Sequence, residues 1–302
     1  MRILVAAALL LALTACTDDA PASSPQSPAA SSPVPTLTPL PPPPEPPPSG
    51  TLIADLRQSS RDAAAGRFEV WIDNDTEADL TPTRISYRDG RFRTVLPGTR
   101  LREIPAQSER GFQILQPDRP ACGSEYGGAE VTVDYRDGGR TESVTVPVED
   151  EADVAGRYAA ARCLELAVAR VATLSWADDV PSDGTQGSTG TLTLQVETTG
   201  RPGPELVIDS VSGTPILSAV GAPAWTPGLA VTGDQPSTSL ALEVKPTRCD
   251  AHAFAESGGA TALPVNLHLD GVPGQIVVRM STAGAANAIA FAEASCGDLI
   301  PR

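Results

Sequence analysis

From residue 51 onward, apolar and polar positions alternate with a period of two, the signature of strands that bury one face and wet the other. Phe68, Val70 and Ile72 alternate with Arg67, Glu69, Trp71 and Asp73. Ile85 and Tyr87 run into Asp89-Gly90 and then Phe92, which predicts a hairpin. Val131, Val133 and Tyr135 precede Asp137-Gly138-Gly139, after which Val144, Val146 and Val148 return. Proline and glycine punctuate the intervals, so the body reads as antiparallel β.

The order then repeats. A strand at Val171 to Trp176, a polar loop at Pro181 to Gly190 and a strand through Leu192, Leu194 and Val196 match Thr51 to Leu56, Arg57 to Gly66 and Phe68 to Ile72. Leu240, Leu242 and Val244 run into Cys249; Val265, Leu267 and Leu269 meet Asp270-Gly271, and Ile276 to Val278 return. In each half the hairpin glycine, Gly138 or Gly271, stands 25 positions before the last cysteine, across an alanine-rich stretch expected to be helical. The apolar phase of the strand entering that hairpin differs by one residue between the halves, which a bulge or an altered turn would absorb. The fold class expected is all-β, with two tandem antiparallel units over residues 51–165 and 166–302, each ending in a short helix. In strand number and disulfide staple these units resemble immunoglobulin-like β-sandwiches, although no tryptophan follows Cys122 or Cys249 as it does in that family.

Ahead of the body the pattern changes. After Arg2, the run Ile3 to Leu13 is wholly apolar and too short to span a bilayer, so residues 1–15 read as an export signal. It ends on Leu13-Thr14-Ala15-Cys16, which resembles the lipobox of bacterial lipoproteins. That resemblance implies that Cys16 is diacylated, becomes the mature N-terminus and holds the protein on the extracytoplasmic face of the cell membrane. From Thr17 to Gly50 the chain is largely Ser, Ala, Thr and Pro, including Pro41-Pro42-Pro43-Pro44, and nothing there can build a core. Residues 16–50 are thus expected to be a lipidated cysteine and a disordered, proline-stiffened tether that could reach roughly 100 Å.

Charge narrows the partners. The formal charge of −15 argues against nucleic acid and against a body lying flat on anionic lipid. Lys245 is the only lysine among 22 basic residues, and with abundant Ala, Gly and Pro this resembles a high-GC Gram-positive proteome. Apart from Cys16, four cysteines remain, an even number in a chain expected to be exported, which suggests two disulfides. Three connectivities exist; the repeat, which puts one pair in each half, favours Cys122–Cys163 and Cys249–Cys296.

Candidate chemistry is sparse. There are two histidines, His252 and His268; Cys249-Asp250-Ala251-His252 lacks a second ligand pair for a metal, and His268 alternates with Leu267 and Leu269 as a surface residue. Asp73-Asn74-Asp75-Thr76-Glu77-Ala78-Asp79 invites calcium, but Ala78 stands where an EF-hand needs Gly and Arg84 where it needs Glu, so a solvated turn is the better reading. Glu149-Asp150-Glu151 and Asp153 suit the start of a helix. Trp71 is the outlier: alternation places it on the polar face with Glu69 and Asp73, as a candidate contact surface or under a tail or neighbouring domain. No catalytic residue, metal or cofactor is implied. The sequence therefore favours a non-enzymatic, membrane-anchored module making contacts with an envelope protein or the cell wall; the alternative is a lipoprotein that captures a solute or metal.

Overall fold

A computed structural model of the chain describes residues 49–124, 127–137, 139–255 and 259–297; the leader, Cys16 and nearly all of the tether lie outside them. The first half contains seven strands, β1 (Thr51–Arg57), β2 (Arg67–Asp75), β3 (Thr81–Asp89), β4 (Leu96–Thr99), β5 (Ser108–Leu115), β6 (Ala129–Asp137) and β7 (Arg140–Glu149). A short helix α1 (Ser60–Ala64) joins β1 to β2, and α2 (Val154–Val168) follows β7. The strands form one closed barrel in the order β1-β2-β5-β4-β3-β6-β7.

This corrects the expected sandwich for the first half. Closure depends on a parallel contact of β1 with β7 confined to Ala54 opposite Val148 and Asp55 opposite Glu149. The short strand β4 also bridges β3 and β5, through Tyr87 opposite Leu96 and Gly98 opposite Ile114, so the two groups of strands are joined on that side as well. The inward residues are those the alternation marks: Phe68, Val70, Ile72, Ile85, Tyr87, Val131 and Val133 are fully buried. Phe68, Tyr87, Phe92 and Tyr158 stack edge to face and ring to ring at centroid separations of 5.9 to 6.4 Å. The barrel interior is thus filled by side chains.

Around α1, local chemistry sets the geometry. Ser59 and Asp62 form a reciprocal capping box, and Arg67 Nε donates to Asp62 Oδ1 at 2.9 Å. These donors, the Ser59 hydroxyl foremost, hold the Asp62 carboxyl below its ordinary value. Because the folded value is the lower one, the contribution of Asp62 to stability is complete above the unfolded value near 3.8 and is lost as pH falls through the folded value. Asp62→Ala should cost about 1–2 kcal/mol at neutral pH, and the difference from the parent in urea melts should shrink towards pH 3.

The second half carries β8 (Ala172–Trp176), β9 (Gly190–Thr198), β10 (Leu206–Ser212), β11 (Leu217–Ala219), β12 (Ala224–Trp225), β13 (Leu229–Val231), β14 (Thr238–Pro246), β15 (Ala262–Leu269) and β16 (Val272–Arg279). Helices α3 (Ala251–Ala255) and α4 (Thr282–Cys296) complete it. One sheet runs β11-β14-β9-β8; the other runs β12-β10-β15-β16, with β13 also on β10. Both contribute to a single apolar core. Two tryptophans pin the sheets together across it: Trp176 Nε1 donates to the carbonyl of Val278 at 3.0 Å, and Trp225 Nε1 to that of Glu243 at 2.6 Å. Both indoles are buried, so each N–H is satisfied where no water reaches.

Residues Pro47–Arg302 form one compact unit, and the boundary expected after residue 165 falls inside α2. Val154, Ala155 and Ala159 at the start of that helix belong to the barrel core, whereas Val168 at its end belongs to the second core. The phase mismatch between the halves also resolves. Asp137 pairs with Arg140 and Leu269 with Val272, leaving two residues in each loop. Gly139 (φ 86°), not Gly138, is therefore the counterpart of Gly271 (φ 75°), and no bulge is needed there. Cys122 is bonded to Cys163 and Cys249 to Cys296, fastening α2 and α4 to the loops after β5 and β14.

Candidate functional site

Antiparallel register brings three short rows of side chains together on the outer face of β1, β2 and β5. Asp55 lies opposite Trp71, which lies opposite Gly111; Ile53, Asp73 and Glu109 form the row on one side. The Trp71 indole lies flat against β5 because residue 111 has no side chain: a Cβ there would stand 2.7 Å from Trp71 Cε2. Above the ring sits Arg57, its guanidinium carbon 4.5 Å from the centroid, a cation–π contact. Arg57 is held by Asp55 at 2.6 Å and by both oxygens of Glu109 at 3.1 and 3.0 Å. These carboxylates, Glu109 foremost, raise the Arg57 pKa. Trp71 Nε1 donates to Glu69 Oε2 at 3.2 Å. The side chain is half-buried, with Arg57 of the adjacent strand over it; the tail expected as an alternative cover lies outside the described residues.

Beside this platform a groove of about 720 Å³ runs between the sheet face and the β7–α2 connection. Asp73, Glu109, Glu149 and Glu151 line it, with Ile53 on its wall. Burial, then the charges of Asp75 and Glu109, push the Asp73 carboxyl above its ordinary value.

The other residues marked in the sequence have structural partners. Asn74 is fully buried, and its amide donates to the carbonyls of Ala78, Ile104 and Pro105 at 2.8 to 3.2 Å. Those oxygens are committed to an N–H donor in the segment read as a calcium candidate, and Asp79 accepts from the Ala106 amide at 2.9 Å. Asp150, rather than Asp153, caps α2, accepting from the amides of Val154 and Ala155 at 2.6 and 3.0 Å. His268 Nδ1 lies 2.7 Å from Asp209 Oδ2 on a half-exposed face. His252 is exposed on α3, three residues past a disulfide cysteine. Among the described residues no group of three His, Cys, Asp or Glu side chains is arranged to hold a metal ion.

Sequence reasoning missed a buried ion cluster. Arg91 Nη2 donates to Asp89 Oδ2 at 2.7 Å and Arg91 Nη1 to Asp153 Oδ1 at 3.0 Å, with Asp150 at 3.4 Å. Tyr87 donates to Asp89 at 2.8 Å, and burial followed by the Asp89 charge raises the Tyr87 pKa far above its usual range. The cluster ties the end of β3 to the start of α2. Its partners lie about sixty residues apart, beyond the reach of any local motif.

No family model matches the sequence, and no curated protein matches it. Among solved structures, the YadV chaperone is 11% identical, with 72% of this chain and 94% of that one covered at a TM-score of 0.19. Red sea bream transglutaminase is 12% identical over 76% of this chain and 31% of its own, at 0.21. The calcium binding domain CBD12 of CALX1.1 is 12% identical over 72% and 76%, at 0.20. TM-scores this low carry no inference about function or topology.

Proposed function

We propose that the protein is a lipid-anchored, non-catalytic contact module of the cell envelope, held at the membrane through Cys16 and displayed on its proline-rich tether. Its two β-rich halves are read as diverged relatives of the immunoglobulin-like architecture, the first closed into a barrel. The contact face is the outer surface of β1, β2 and β5. The observation that carries this reading is Trp71, a large aromatic on the wet face of a barrel, seated on a residue without a side chain and gripped by Arg57. A structural tryptophan belongs in a core, where Trp176 and Trp225 are. Tryptophan and arginine at a surface are the residue types that dominate binding energy at interfaces.

Two substitutions separate anchor from contact. Cys16→Ser should release the protein from the membrane fraction into the medium. Trp71→Ala should leave it in the membrane fraction but weaken its association with detergent-washed cell-envelope fragments by about tenfold or more, as expected for loss of an interface anchor worth about 2 kcal/mol. Unchanged association of a folded Trp71→Ala protein would refute the contact face. Unchanged membrane retention of Cys16→Ser would refute the anchor.

A further inference from the structure

We propose that the Cys122–Cys163 disulfide is a modification site, at which a small thiol bearing carboxylate groups exchanges into the bridge and stays on Cys122 as a mixed disulfide. The inference is independent of the contact face on β1, β2 and β5. Both cysteines line a surface cleft of about 370 Å³ together with Arg93, Arg119 and Arg170, and no acidic side chain lines it. The three arginines come from separate segments: the loop after β3, the loop after β5 and the turn that ends α2. All three are exposed, and none makes an ion pair or a side-chain hydrogen bond among the described residues. In a chain of 22 basic against 37 acidic residues, three such cations around one cleft run against the composition.

The cleft also holds the group that reacts. A disulfide is broken by a thiolate that reaches one of its sulfurs. Cys122 is exposed and Cys163 half-buried, whereas Cys296 of the other bridge is wholly buried. The incoming thiolate attacks Cys122 Sγ, the bond to Cys163 Sγ breaks, and its electron pair stays on Cys163 as a thiolate. One bond between sulfurs forms as one breaks, so the thiol itself is the only co-reactant. The neighbouring guanidinium groups favour the anion released on Cys163. They also select the reagent, because guanidinium forks pair with carboxylates through two parallel hydrogen bonds. The cleft is of a size for a small molecule. Exchange unties the loop after β5 from α2, the helix whose two ends pack into the two cores.

The test treats the full chain with mercaptosuccinate, a dicarboxylate thiol, and in parallel with uncharged 2-mercaptoethanol. Acid quenching at low conversion and peptide mass spectrometry locate the adduct. Mercaptosuccinate should appear on Cys122, with Cys163 as a free thiol and Cys249 still bonded to Cys296. In the variant Arg93→Gln, Arg119→Gln, Arg170→Gln, its rate should fall about tenfold relative to the 2-mercaptoethanol rate, the size of effect that electrostatic attraction supplies. In the parent the same ratio should fall as salt rises from roughly 50 to 300 mM. The three substitutions are at exposed positions and leave the thermal melt intact, and the 2-mercaptoethanol rate reports any loosening of the bridge itself. An adduct on Cys163, no adduct on either cysteine, or a rate ratio that the triple variant leaves unchanged overturns the proposal.

Discussion

Replacing Arg91 with Met is expected to lower the stability of the fold by about 3–5 kcal/mol, the largest effect of any single substitution considered. The Arg91 guanidinium is 13% exposed, and its partners Asp89 and Asp150 are 0% and 5% exposed. Removing the cation leaves the Asp89 carboxyl in the barrel end with two donors, the Tyr87 hydroxyl and the backbone amide of residue 91. A charge stranded without its partner costs more than the intact pair ever contributed, because the desolvation penalty remains and the compensation is gone. The same change frees the start of α2, whose first amides are capped by the Asp150 that Arg91 orients. Adding Asp89→Asn to Arg91→Met should recover part of the loss, since the buried charge is removed as well. Equilibrium urea unfolding of the parent and both variants measures this, and a loss under 1 kcal/mol would show that water enters and solvates Asp89.

The second large effect concerns the disulfides. Cys249→Ser with Cys296→Ser should cost about 4 kcal/mol, the chain-entropy value for reopening a loop of 47 residues. The two bridges should also differ in resistance. Cys122 is exposed at the surface, whereas Cys296 is wholly buried in the second core. Under graded dithiothreitol, alkylation read by mass spectrometry should therefore mark Cys122 and Cys163 first and Cys249 and Cys296 only as the second half unfolds. Simultaneous labelling of all four would mean that the buried bridge opens without unfolding.

The sequence revealed the faces of the strands but not the order in which they join. Alternation separated Phe68, Val70 and Ile72 from Glu69, Trp71 and Asp73 because burial of one face imposes a period of two. The alanine-rich stretches before Cys163 and Cys296 read correctly as helices α2 and α4. Barrel closure was illegible: it rests on two residue pairs between strands nearly a hundred positions apart, too short to leave a periodic trace. The hairpin register was ambiguous for a chemical reason, since Asp137-Gly138-Gly139 offers two glycines that could each be matched to Gly271. The continuity of α2 across the expected boundary left no mark either, as its alanines suit both cores.

At the candidate site the outlier was visible and its setting was not. Trp71 stood out because an aromatic broke the polar phase of β2. That Arg57 caps it and Gly111 lies beneath it depends on how β1, β2 and β5 align, which one strand read alone cannot supply. The acidic groove likewise joins residues from β1, β2, β5 and the β7–α2 connection, each unremarkable in its own segment.

The most direct test of a contact surface around Trp71 is site-specific photo-crosslinking in intact cells. A photoreactive side chain at Gln113, on β5 beside the platform, should give a discrete crosslinked product, and the same group at the exposed Gln275 on β16 should give none. A product from Gln275 and none from Gln113 would contradict the assignment and move the contact to the second half.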